Sequence, residues 1–147
     1  MHDTTLYTIG FARKPAEAFF ELLKDAGVRK VIDVRLHNTS QMAGFTKRDD
    51  LRYFLSTIGA MDYRHLPELA PTPELLDAYR KKAIAWETFE PAFVELISSR
   101  HIEATLDRET LDRGCLLCSE PDPQRCHRRL VAEYLRGALG EIRICHL

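Results

Sequence analysis

The chain has 147 residues, 45% hydrophobic and 29% charged, with a formal net charge of −1 and a pI near 6.6. That length suits one domain with a sizeable core, and that charge gives no overall field to draw the protein onto nucleic acid or an anionic membrane. No stretch approaches the ~20 apolar residues of a membrane span, and Met1-His2-Asp3-Thr4-Thr5-Leu6 lacks the basic start and apolar run of a signal peptide, so a cytoplasmic protein whose four cysteines are thiols is expected.

Leu6 to Ile9 reads as a buried first strand stopped by Gly10. Pro15 suits the first turn of a helix carrying Phe19, Leu22, Leu23 and Ala26, with Gly27 as its end. Lys30 to Arg35 is the second strand, and its apolar run suits a parallel strand covered on both faces. Strand, helix, strand in about thirty residues is a βαβ unit with a right-handed crossover. Leu36 to Thr46 is polar and turn-rich, with Asn38, Thr39, Ser40 and Gly44, and it follows a strand's carboxyl end, where ligands bind in open α/β sheets.

Asp49 or Asp50 is the expected cap of the next helix, with Leu51, Phe54, Leu55 and Ile58 on one face and Gly59 at its end. Met61 to Leu66 is a third, weaker strand. Thr72-Pro73-Glu74 opens a helix running to about Ala85. Trp86 to Arg100 is another, with Phe89, Phe93, Leu96 and Ile97 inward and Pro91 near its opening turn. Ile102 to Arg113 is a charged connector. Gly114 to Cys118 is the fourth strand, Arg125 to Gly140 contains a helix, and Ile142 to Leu147 holds a short last strand. Alternating strands and helices predict a three-layer α/β sandwich with a mostly parallel sheet of about five strands, wound in a flavodoxin-like or Rossmann-like order by default. The chain shows no repeat, linker or low-complexity tract.

The chemistry concentrates in Gly114 to Arg129, which holds three of the four cysteines, a His, a Glu and three Arg. Cys118 falls at a strand's carboxyl end, and Cys126 to Arg128 open the next helix. Free backbone N–H groups and the positive end of the helix dipole then face the ligand edge. Arg128 or Arg129 could add a charge-assisted fork to a phosphate or carboxylate, although Arg129 can also simply pair with Glu133 at i, i+4. The same field favours a thiolate at Cys126, or at Cys118 if it faces the turn. Glu120 could accept from a substrate hydroxyl or act as a general base. Cys115, beside Leu116 and Leu117, reads as a small buried hydrophobe.

Asp33 and Arg35 lie on one face of the second strand, either as a structural ion pair or as an arginine clamp oriented by its carboxylate. Gly10 and Arg13 lie at the matching end of the first strand, where glycine permits close backbone approach. His65 and Glu68 follow the third strand and precede a proline-fixed loop; either a capped turn or a contribution to the site fits them. His37 sits in the ligand-edge loop, while His2, His101 and His146 carry no signal.

Other readings fit less well. Cys115-x-x-Cys118 has zinc spacing, but on a strand these side chains point to opposite faces. A metal is therefore not favoured, and only a looser set of Cys118, Cys126 or His127 with His65 stays open. A thioredoxin motif would begin a helix rather than precede a turn. A thiol-phosphatase loop needs an arginine six positions after its cysteine, where Gln124 and Ala132 stand. There is no P-loop and no G-x-G-x-x-G, so no nucleotide-cofactor fingerprint is present.

Three functions follow as expectations. The first is an enzyme or binding protein for a small anionic, phosphorylated or nucleotide-like ligand, with Glu120, Cys118, Cys126 and Asp33 as candidate catalytic groups. Gly10, Arg13, Arg35, His65, Glu68, His127, Arg128 and Arg129 are its candidate binding groups. The second is a metal-dependent or thiol-redox protein using Cys118, Cys126 and His127. The third is a nucleic-acid-binding module, against which the net charge argues.

Tyr7-Thr8-Ile9-Gly10, Val31-Ile32-Asp33-Val34-Arg35, His65-Leu66-Pro67-Glu68-Leu69 and above all Cys118-Ser119-Glu120 with Cys126-His127-Arg128-Arg129-Leu130 resemble domain-of-unknown-function family 488. The resemblance covers about Leu6 to Leu147. Leu36 to Gln41 with Gly44-Phe45 look like a subgroup's version of the loop after Asp-Val-Arg. The resemblance implies a single α/β domain whose motif residues gather at one sheet edge, and it supplies no reaction.

Overall fold

The computed structural model describes residues 4–39 and 44–147; His2 and the Ser40-Gln41 part of the ligand-edge loop lie outside the described residues. Five parallel strands, β1 (Thr4–Gly10), β2 (Lys30–Asp33), β3 (Asp62–His65), β4 (Gly114–Cys118) and β5 (Ile142–His146), form one sheet in the order β3-β2-β4-β1-β5. The order differs from both the flavodoxin and the Rossmann windings. The reason lies in β4, whose five residues are all buried. A strand this apolar is best covered on both faces and paired on both edges, and it takes the centre between β2 and β1.

Side-chain alternation splits the interior in two. Ile9, Val31, Cys115 and Leu117 pack with Phe19, Phe20 and Leu23 of α1 (Ala16–Ala26) and with Leu51 and Leu55 of α2 (Arg48–Gly59). Leu6, Ile32, Leu116 and Cys118 pack on the other face. Their partners there are Phe89, Phe93 and Ile97 of α4 (Trp86–Ser99) and Leu130, Val131 and Leu135 of α6 (His127–Leu139). Two shorter helices, α3 (Pro73–Arg80) and α5 (Arg108–Leu111), complete the order. Among the described residues no helix is long and apolar enough to cross a membrane.

This winding creates the site. The chain leaves β1 and β2 toward the α1/α2 face but leaves β4 toward the α6 face. The central strand is thus flanked on both sides by neighbours whose connections turn the opposite way. Crevices open outside the carboxyl ends of strands at such switch points.

Several local expectations shift. The cap position of α2 is Lys47, and Asp49 and Asp50 sit in its first turn, where they complement the helix dipole. Thr72 caps α3 by accepting from the Leu75 N–H, but the helix stops at Arg80 rather than near Ala85, and Lys82 takes a left-handed conformation. Strand β2 ends at Asp33, although the Val34 N–H still donates to the Leu117 carbonyl (3.1 Å).

Candidate functional site

The ladder between β1 and β4 continues past both strands. Phe11 N–H donates to the Cys118 carbonyl (3.2 Å) and Ala12 N–H to the Ser119 carbonyl (2.9 Å). This draws the turn after β4 onto β1. A Cβ at Gly10 would overlap the Glu120 carbonyl oxygen, so only glycine fits. Arg128, fully buried, locks the turn from below. Its Nη1 donates to the Glu120 carbonyl (2.6 Å), its Nη2 to the Pro121 carbonyl (3.4 Å) and its Nε to Thr8 Oγ1 (3.3 Å). No carboxylate among the described residues pairs with it.

Beside this turn stands a buried polar knot. Asp33 accepts a fork from Arg35 (Nε to Oδ1 2.9 Å, Nη2 to Oδ2 2.8 Å) and a further bond from the Tyr63 hydroxyl (2.6 Å). Arg35 Nη2 also donates to the Thr46 carbonyl (2.7 Å), and the guanidinium lies 5.3 Å from the Phe11 ring centre. Burial opposes the Arg35 charge, but the Asp33 carboxylate outweighs it and holds the pKa above its ordinary value. Burial, and after it the same carboxylate, push the Tyr63 phenol up, so the hydroxyl stays a donor. His65 stands behind this knot, its Nε2–H donating to the Arg35 carbonyl (2.8 Å).

The third group is the thiol cluster. Cys118 ends β4, Cys126 occupies the N-cap position of α6 and His127 is its first residue. All three are buried, and their sulfur and ring-nitrogen atoms lie within 4.8 Å of one another. His127 Nε2–H donates to the Val34 carbonyl (2.7 Å), which fixes the ring and leaves Nδ1 as the open nitrogen. The Cys118 sulfur is nearly equidistant from Nδ1 (3.8 Å) and Nε2 (3.9 Å). The ring therefore lies alongside the sulfur rather than aiming one nitrogen at it. The stronger partner is Cys126, whose thiol hydrogen-bonds toward Cys118 and, with the Ser119 N–H and Arg128, outweighs burial and holds the Cys118 pKa below its ordinary value. Cys126 is pushed up by the same interaction and by burial. Cys115 faces the opposite core, where burial pushes its thiol up, and has no part in the cluster.

These groups line a cavity of about 470 Å³. Cys118, Cys126 and His127 line its depth. Tyr79, Trp86, Phe89 and Phe11 supply an aromatic wall, with Trp86 and Phe89 stacked at 5.2 Å. Three cations contribute: Arg35, committed to Asp33, and Arg80 and Arg125, which are exposed and have no polar partner among the described residues. Glu120, Ser119 and His37 also line the opening.

Of the candidate residues read from sequence, the cavity thus gathers Cys118, Cys126, His127, Arg35 and Glu120. Asp33 and His65 act on it through Arg35, and Gly10 and Arg128 shape its turn. Arg13 is exposed, outside the cavity lining and in a left-handed conformation. Glu68 is exposed, and its carbonyl accepts from Arg100 Nη1 (2.7 Å). Arg129 points away and pairs with Glu90 (2.7 Å) and Glu133 (3.0 Å). The aromatic wall, Arg80 and Arg125 complete the lining and carry no motif in the sequence. Trp86 and Phe89 already serve as a helix's core face, and the one available signal was that the chain's single Trp follows a Pro-rich segment.

Chemically, this arrangement offers a thiol whose pKa is held below its ordinary value, in a cavity whose lining includes two arginines with no polar partner among the described residues. The two sulfurs and His127 Nδ1 could also hold one soft or borderline metal ion. The family model described as domain of unknown function DUF488 matches residues 15–135. No curated protein and no solved structure matches the chain.

Proposed function

This chain belongs to the DUF488 family, and we propose that it is a single-domain enzyme that takes a small anionic ligand into the cavity at the carboxyl edge of the sheet, with Cys118 as its nucleophile. The observation that carries this reading is the position of Cys118: a buried thiol, its pKa held below the ordinary value, on the wall of a cavity whose lining includes Arg80 and Arg125. The two unpartnered arginines receive the anion. Arg35 is a fixed wall, since its fork is spent on Asp33. Tyr79, Trp86 and Phe89 take the uncharged part of the ligand, which suits a phosphorylated or nucleotide-like molecule with a flat ring. Cys118 attacks the electrophilic centre, Cys126 and the Ser119 N–H hold the thiolate before attack, and His127 Nδ1 carries the proton. Glu120 at the opening accepts from a hydroxyl or amine of the ligand.

The test is protection of Cys118 from iodoacetamide, followed by mass spectrometry, with Cys145 on β5 as the internal reference. Phenyl phosphate or adenosine monophosphate should slow modification of Cys118 saturably, and the double variant Arg80→Gln, Arg125→Gln should weaken that protection about tenfold, a change of ~1.4 kcal/mol. If neither anion protects, or Cys118 reacts no faster than Cys145, the reading fails.

A second reading rests on the 4.8 Å cluster of Cys118, Cys126 and His127, which has the donor set of an open, three-ligand metal site. Elemental analysis of the purified protein separates the two: stoichiometric metal, lost in Cys126→Ala, supports the metal site.

A further inference from the structure

We propose that Cys118 and Cys126 are a reversible redox pair, in which a peroxide oxidises Cys118 and Cys126 resolves it to an intramolecular disulfide. This inference does not depend on the anionic ligand.

Four features carry it. The two sulfurs lie within 4.8 Å of one another, while the chain between them, Ser119 to Arg125, is held by the Arg128 brace. Cys126 occupies the N-cap position of α6, yet its side chain makes no capping hydrogen bond, so the sulfur can turn toward Cys118 without uncapping the helix. Both thiols line the cavity, which admits a molecule as small as hydrogen peroxide. The other two cysteines are placed differently: Cys115 is fully buried under the opposite helix layer, and Cys145 is on the edge strand β5. Neither lines the cavity, so disulfide closure there is directed to one pair.

The chemistry divides between the two thiols. The Cys118 thiolate attacks one peroxide oxygen, the O–O bond breaks and hydroxide leaves, giving a sulfenic acid at Cys118. The Cys126 sulfur then attacks the Cys118 sulfur. The S–S bond forms, the S–O bond breaks, and the departing hydroxide takes the Cys126 proton as water. Two electrons have passed from the thiol pair to the peroxide. A dithiol reductant returns the pair to its reduced form by exchange. The disulfide ties up both thiols of the pair and spares Cys118 from irreversible oxidation.

The experiment uses the full chain, treated with chelator, desalted and exposed to stoichiometric hydrogen peroxide. Remaining thiols are alkylated and the protein is cut after lysine and arginine. The expected product is the peptide Gly114–Arg125 joined to Cys126–Arg128, two hydrogens lighter than the separate peptides and released by dithiothreitol. In Cys126→Ser, dimedone should trap a sulfenic acid at Cys118 that wild type does not accumulate. In Cys118→Ser, Cys126 should remain fully alkylatable. A wild-type protein that carries Cys118 directly to sulfinic acid with Cys126 still reduced would overturn the proposal, as would a disulfide that forms only between two chains. Failure of anion protection leaves these readouts unaffected, so the two proposals fail separately.

Discussion

The sulfurs of Cys118 and Cys126 lie within 4.8 Å of each other at the two ends of one turn, and they have opposite acidities. Cys118 is the acceptor and Cys126 the donor. Their neighbours set the sign. Arg128 favours the Cys118 thiolate, the Asp33 carboxylate opposes it, and His127 lies alongside.

The first prediction is a pH profile. A thiol whose pKa lies below its ordinary value reaches its thiolate earlier as pH rises, so iodoacetamide modification of Cys118 should reach half its plateau below the midpoint of a free cysteine. Cys126→Ala removes the donor and leaves burial opposed only by the Ser119 N–H and Arg128. The midpoint should then move up. A midpoint unmoved by Cys126→Ala would show that the donor is not what stabilises Cys118.

Asp33 holds the polar knot together. Asp33→Asn leaves the buried Arg35 guanidinium without its counter-charge, and breaking such a pair costs about 3–5 kcal/mol. Tyr63→Phe removes one bond to the same carboxylate and should cost about 1 kcal/mol. Urea denaturation measures both. Equal losses would contradict the central place of the ion pair.

Gly10→Ala should push the Glu120 carbonyl off β1, since the new methyl would overlap that oxygen. Overpacking of this kind costs about 1–3 kcal/mol. The loss should come with a changed rate of Cys118 modification, because the displaced turn carries Ser119 and Glu120 along the cavity. A variant with wild-type stability and reactivity would refute the close approach.

The adjacent arginines should behave oppositely. Arg128→Met removes the brace on two carbonyls and should both destabilise the fold and alter Cys118 reactivity. Arg129→Ala breaks only partly exposed ion pairs, worth at most about 1 kcal/mol, and should leave Cys118 unchanged. Denaturation and alkylation rates on the two variants check the contrast.

Much of this arrangement can be read from the chain. The Cys-x-Glu and Cys-His-Arg pieces sit at a strand end and a helix start, and that pattern alone assembles the thiol cluster. The all-parallel sheet follows from the apolar runs of β2 and β4. The strand order does not, because local pattern says which face a residue buries but not which edge a strand pairs with. Arg128 and Arg129 show a related difficulty. Both suit an anion fork by type, but helical periodicity turns Arg128 inward with Val131 and Leu135 and turns Arg129 outward with Glu133. The aromatic wall was masked for another reason: Trp86 and Phe89 belong to the core and the cavity at once.

Charge selectivity of alkylation tests most directly the proposed delivery of anions to Cys118 by this cavity. Iodoacetate and iodoacetamide differ chiefly in charge, so the ratio of their rates at Cys118 can be compared with the same ratio for glutathione. A higher ratio at Cys118, falling in the Arg80→Gln, Arg125→Gln double variant, is the predicted result. A ratio equal to or below that of glutathione would contradict it.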